Sequence, residues 1–261
     1  MEYDGKLQEL INNYAGTEKT PALLPTMHST SCLIGENILQ EDKLSVKVCP
    51  VFKEPLLYFF YGKPSYRVSS KHSHKSRTDC LRSPCCFIFD SHKIHAKYIY
   101  PFDTGAYSSG IFEDMIPSEI DIKKFQLEPD PTNIPEYVRA FFGNNENYLQ
   151  GISSIDDKSF NNVVTFTLGQ ILSAKGTFEF DDRARTVEII SEDNLKVSDA
   201  IMAIIVPQPF VRNEAFKNFL KDHSDIDVIT YFTHYPSDPA SHNEAVFQKA
   251  IDYLKKRGEV L

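Results

Sequence analysis

The chain has 261 residues, of which 41% are hydrophobic and 25% charged, enough for one globular unit with a sizeable core. Its formal net charge of −8 argues against indiscriminate nucleic-acid binding, which rests on clustered Lys and Arg. No apolar run reaches the length of a membrane span, MEYDGKLQEL lacks a signal-peptide core, and five cysteines show no disulfide-like spacing; the expectation is a cytoplasmic protein with no membrane partner.

Leu7, Leu10, Ile11 and Tyr14 recur at helical spacing, with Asp4 as a cap and Gly16 as a stop. Residues 17–25 are polar with two prolines and read as a loop. A short strand is expected over Leu23 to His28, then a helix from Ser31 to Gln40, capped by Thr30 or Ser31 and apolar at Ile34 and Ile38. Leu44, Val46 and Val48 alternate as in a strand, and Leu56 to Tyr61 is a continuous apolar and aromatic run, the length of a buried strand. Residues 68–84 form a long polar loop, the kind that usually moves or carries function. The segment 63–82 is basic, with Lys63, Arg67, Lys71, Lys75, Arg77 and Arg82 against Asp79.

Strands are expected over Cys85 to Phe89 and Ile94 to Tyr100. Pro135 opens a helix with Tyr137, Val138, Phe141 and Phe142 on one face and Gly143 as its stop. A further helix falls between Asn162 and Lys175, and strands over Thr186 to Ile190 and Ala200 to Val206. Asn213 caps a helix that turns Phe216, Phe219 and Leu220 inward; Asp227 to Phe232 reads as the last strand. Ser241 with Glu244 fits a capping box for a final helix that Gly258 stops. Strands and helices do not alternate regularly, and no repeat or linker divides the chain. The expectation is one α+β domain over residues 1–261, with mixed, mostly antiparallel sheets and flanking helices.

Three separated pieces carry candidate chemistry: His28-Ser29-Thr30 at a strand end, Tyr58 to Tyr61 with Tyr66 and Arg67 beyond a Gly62–Pro64 turn, and Glu188 on a late strand. His28 and Thr30 are suited to ribose hydroxyls, Tyr58, Tyr61 and Tyr66 to stacking on a planar ring, and Arg67 to a phosphate. Glu188 could face a developing positive charge. Each also has a plain structural reading: a satisfied strand-end histidine, core tyrosines, an outward strand carboxylate.

In order and type these pieces resemble the ADP-ribosyltransferase fold, in its histidine–tyrosine–glutamate branch shared by diphtheria-type toxins and poly(ADP-ribose) polymerases. His28-Ser29-Thr30 is similar to the first motif, with a helix through Ile38-Leu39 following it. The Tyr58–Tyr61 strand with Tyr66 is similar to the second, and Thr186-Val187-Glu188-Ile189 to the third. The resemblance spans roughly residues 23–206. It implies that NAD+ is the substrate, that His28, Tyr66 and Glu188 share one cleft, and that ADP-ribose passes to a protein or nucleic-acid acceptor. A toxin or defence effector of this kind would have an inhibitory antitoxin as a partner. The alternatives are an NAD+ glycohydrolase and a non-catalytic nucleotide-binding module. Tyr66 is the first choice for the nicotinamide stack, since the preceding turn would expose it.

A second cluster, His72, His74, Cys80, Cys85, Cys86, His92 and His95, is of zinc-ligand type. It has no Cys-x-x-Cys pair, and adjacent Cys85 and Cys86 suit one tetrahedral site poorly. No metal is expected.

Overall fold

The computed structural model describes residues 6–13, 19–64, 82–110, 116, 120–154, 162–173, 183–236 and 238–261. The elements in chain order are α1 (Lys6–Asn13), β1 (Thr26–Ser31), α2 (Cys32–Glu41), β2 (Lys43–Leu44), β3 (Lys47–Val48), β4 (Pro55–Tyr61), β5 (Pro84–Phe89) and β6 (Tyr98–Tyr100). There follow α3 (Thr104–Ser108), α4 (Ile134–Phe142), α5 (Asn145–Gln150), α6 (Val163–Ser173), β7 (Glu188–Ser191), β8 (Leu195–Lys196), β9 (Ile201–Pro207), α7 (Glu214–Asp222), β10 (Asp227–Tyr231) and α8 (Pro239–Lys256).

Among the described residues the main sheet has eight strands, in the order β10-β9-β5-β1-β4-β7-β6, with β3 pairing beside β4. All its pairings are antiparallel except β9 with β10. The fold is therefore α+β with a mixed, mostly antiparallel sheet. β5 lies between β1 and β9, and all six of its residues are buried, as a central strand covered on both faces requires. The buried apolar side chains form one cluster running from Leu7 to Val260.

The aromatic strand, the Asn213 cap and the helix stopped by Gly143 lie where periodicity and capping put them. Other boundaries move. The first strand starts at Thr26, not Leu23, because Leu24 and Pro25 approach β4 through side-chain and turn contacts: the Leu24 amide donates to the Tyr61 hydroxyl, and the Pro25 carbonyl accepts from Gly62. The alternation at 44–48 is two separate bridges, β2 to β8 and β3 to β4, because the chain changes partner between them. Of the residues expected in a strand from Ile94, only 98–100 form it. The last helix opens at Pro239, with Asp238 accepting from the amides of Ala240 and Ser241, rather than on a Ser241 cap. Asp4, Tyr14, Gly16 and the loop residues 65–81 lie outside the described residues.

Helix α2 follows β1 directly. The Ser31 hydroxyl accepts from the Ile34 amide and caps it. Asp42 ends the helix in the left-handed region, at φ 48°. A Cβ on Gly35 would lie 2.7 Å from Cys85 Sγ, so the helix backbone packs directly on β5.

Candidate functional site

β1 pairs with β5 along its whole length, from Thr26 opposite Phe89 to Ser31 opposite Pro84. It pairs with β4 over only two positions, Thr26 with Tyr61 and Met27 with Phe60. The sheet forks there, and His28 is the first residue past the fork. Its Nδ1 lies 2.9 Å from the Tyr58 carbonyl, a bond in which the ring nitrogen must be the donor. Burial holds the His28 pKa below its ordinary value, against the raising effect of that bond, and the Lys47 ammonium lowers it further. His28 is thus a neutral imidazole with a proton on Nδ1 and a lone pair on Nε2.

A cavity of about 460 Å³ opens at the fork. His28 and Thr30 line it from β1, Tyr58 from β4, Glu41 and Ile38 from α2, and Lys47 and Cys49 from the connection between α2 and β4. Tyr58 Oη donates to Cys49 Sγ at 2.6 Å. Burial, then the Cys49 contact and the Glu188 charge, raise the Tyr58 phenol pKa, so Tyr58 stays a neutral donor.

Glu188 opens β7, opposite Phe60 on one side and Tyr100 on the other. It is 2% exposed, and its Oε2 accepts from the Thr104 amide at 3.1 Å and the Thr104 hydroxyl at 2.6 Å. Those donors come from the first turn of α3, which Asp103 caps. Burial pushes the Glu188 pKa up to about 8, the Asp103 carboxylate adds to this, and the Thr104 bonds hold it back. Near neutral pH Glu188 is mostly protonated.

The register fixes which residues face one another. Directly opposed residues on antiparallel strands share a face, and successive residues alternate. Met27, Phe60, Glu188 and Tyr100 are therefore on one face, with Tyr58 two positions from Phe60. His28 and Thr30 are on the other, where the His28 and Phe59 rings meet edge to face at 6.1 Å. The expectation that His28 and Glu188 converge in one cleft is corrected: β-alternation puts their side chains on opposite faces. Tyr58 joins the two sides, since its carbonyl binds His28 and its side chain lies on the Glu188 face. Tyr61 is also reassigned. It is fully buried, and its hydroxyl accepts from the Leu24 amide, so it ties β4 to the chain entering β1 rather than lining the cavity. Tyr66 and Arg67 lie outside the described residues. The cavity brings together His28, Thr30 and Tyr58.

The turn that leads toward Tyr66 is anchored by Tyr148, which sequence reasoning did not single out. Tyr148 Oη donates to the Tyr61 carbonyl at 2.9 Å and accepts from the Val187 amide at 3.1 Å, while the Tyr61 amide donates to the Val187 carbonyl. One phenol thus clamps the end of β4 to the start of β7. Gly62 follows at φ 68°, and its amide donates to the Pro25 carbonyl. Lys63 is fully buried; its ammonium donates to the Tyr148 carbonyl and lies 5.1 Å from the centre of that ring. Thr104 was missed as well. Its sequence signal is the Asp103 cap ahead of it, which marks a helix N-terminus with free amides that a carboxylate can use.

No family model, curated protein or solved structure matches this chain. Among the described residues no group of three or more His, Cys, Asp or Glu is placed to hold a metal ion. His72, His74 and Cys80 lie outside those residues, while Cys85 and Cys86 are buried in β5. No described helix is long and apolar enough to cross a membrane.

Proposed function

We propose that the chain is an NAD+-dependent mono-ADP-ribosyltransferase whose fork cavity takes the dinucleotide. The observation that carries this reading is that His28, Thr30 and Tyr58, from two motifs about thirty residues apart, line one cavity where β1 and β4 part. With Nδ1 engaged, His28 Nε2 accepts from a ribose hydroxyl, and Thr30 can exchange hydrogen bonds with the same sugar. Tyr58 offers an aromatic face, and Lys47 a positive charge for the diphosphate. In the reaction the nicotinamide–ribose bond breaks and nicotinamide leaves with the bonding electrons. An acceptor on a protein or nucleic acid then attacks the oxocarbenium-like carbon and loses a proton.

The reaction needs a carboxylate near that carbon. Glu188 is on the strand next to β4, within electrostatic reach of Tyr58 but beneath it. Among the described residues, the carboxylate that lines the cavity itself is Glu41. Comparing Glu188→Gln with Glu41→Gln assigns the role. A second reading rests on one specific observation: Glu188 is buried, bonded to Thr104 and on the face opposite His28. This favours a nucleotide-binding module without catalysis. Nicotinamide release with cell extract, beside NAD+ binding by calorimetry, separates the two. Release accompanied by labelled macromolecule supports the transferase, release without label the glycohydrolase, and binding without release the module.

A further inference from the structure

A second cavity, of about 590 Å³, opens on the His28 face of the sheet. The β2–β8 ribbon separates it from the fork cavity, with Lys43 and Leu44 on the fork side and Leu195 and Lys196 on the other. The ribbon is firmly fastened. Asp42 accepts from the Ser198 amide at 2.8 Å and the Ser198 hydroxyl at 2.5 Å, and Asn194 Oδ1 accepts from the Val46 amide at 3.0 Å. The cavity is therefore a separate compartment.

Phe59, Ile94 and Ala200 make its floor, and all three are buried. Ser191 is 4% exposed beside them, and its hydroxyl oxygen accepts from the Asp193 amide. A hydroxyl also carries a proton, which it can donate to an acceptor in the cavity. At the rim, Lys93, His95 and Asp193 are exposed, and no side-chain partner is described for them. Lys196 is paired with Asp199 at 2.8 Å. Two lysines thus face two aspartates among the described lining residues, and those four charges cancel.

A phosphate would meet the Asp193 charge, and a cation would meet Lys93. A neutral ring bearing several hydroxyls satisfies every group: it accepts from Ser191, donates to Asp193, accepts from Lys93 or His95, and lays its C–H face on the apolar floor. We propose that this cavity binds a neutral, polyhydroxylated ring of monosaccharide size. The proposal does not depend on the NAD+ reading.

The test is titration of the full chain with methyl α-D-glucopyranoside, read by saturation-transfer NMR and calorimetry, using inorganic phosphate as a competitor. Saturable binding of the sugar is expected, unaffected by phosphate. Asp193→Ala should weaken it by about tenfold, the scale of a hydrogen bond to a charged group, and Ser191→Ala should also weaken it. Asp193 is exposed, so its variant reports on binding even where Ser191→Ala disturbs the floor. Asn37→Ala, at an exposed residue that lines the fork cavity and not this one, should leave sugar affinity unchanged. The proposal is overturned by no saturable binding at millimolar sugar, by equal affinity in Asp193→Ala, by loss of binding in Asn37→Ala alone, or by displacement with phosphate.

Discussion

Glu188→Gln should change the pH dependence of stability in a direction that follows from the site. The carboxyl titrates near 4.5 when unfolded and at about 8 in the folded chain. Below pH 4.5 both states hold the proton, and Glu188 contributes no pH dependence. Between the two values the unfolded state is ionised and the native state is not, so stability falls as pH rises, by about 1.4 kcal/mol per pH unit. Above pH 8 both are ionised and the slope vanishes. Over an interval of roughly 3.5 pH units the loss approaches about 5 kcal/mol, as an upper bound. Glutamine keeps the oxygen that accepts from Thr104 and cannot ionise. Urea unfolding of both proteins from pH 5 to 9 should therefore show the variant gaining on wild type steadily between pH 5 and 8, then running parallel to it. Curves parallel throughout would mean that Glu188 is ionised in the native protein and the burial argument is wrong.

Other outcomes follow from single contacts. His28→Ala should weaken NAD+ binding by about tenfold in calorimetry, since it removes the acceptor proposed for ribose; unchanged affinity would place the ligand elsewhere. Tyr148→Phe leaves the Val187 amide and the Tyr61 carbonyl without their shared partner, and should cost about 2–4 kcal/mol in urea unfolding. A cost near zero would show that the β4–β7 clamp is not needed. Gly62→Ala puts a side chain at φ 68° with its Cβ 2.5 Å from Leu24 Cδ1, for a loss of about 2–4 kcal/mol. A thermal midpoint equal to wild type would show that Leu24 yields freely.

The parts of the fold that were legible in the sequence are those with local causes. Ser31 and Asn213 cap the helices they precede, Gly143 ends one, and Leu56 to Tyr61 has the length of a buried strand. What the chain does not write locally is which strands meet and where pairing stops. The fork after Met27 and Phe60 is a tertiary event, yet it makes the cavity and puts His28 at its edge. The facing of Glu188 is of the same kind. Alternation with Val187 and Ile189 is plain in the sequence, but which face is His28's depends on register carried through β4. Tyr61 and Tyr58 differ by three residues and look alike in the sequence. One becomes a core clamp and the other a cavity wall because β4 leaves β1 between them. Glu41 reads as an ordinary charged residue in the last turn of a helix, and only the fold turns it toward the fork.

The central claim is that the fork cavity binds NAD+ and the chain cleaves it. Its most direct test is release of nicotinamide from ring-labelled NAD+ in the presence of cell extract, for wild type, Glu188→Gln and Glu41→Gln, with NAD+ affinity measured alongside. A group that acts only in the transition state changes rate and not affinity. The account predicts release by wild type, and a loss of about a hundredfold or more in one of the two variants while its affinity stays within a few-fold. Wild type that binds NAD+ without releasing nicotinamide, or release at the wild-type rate from both variants, would contradict it.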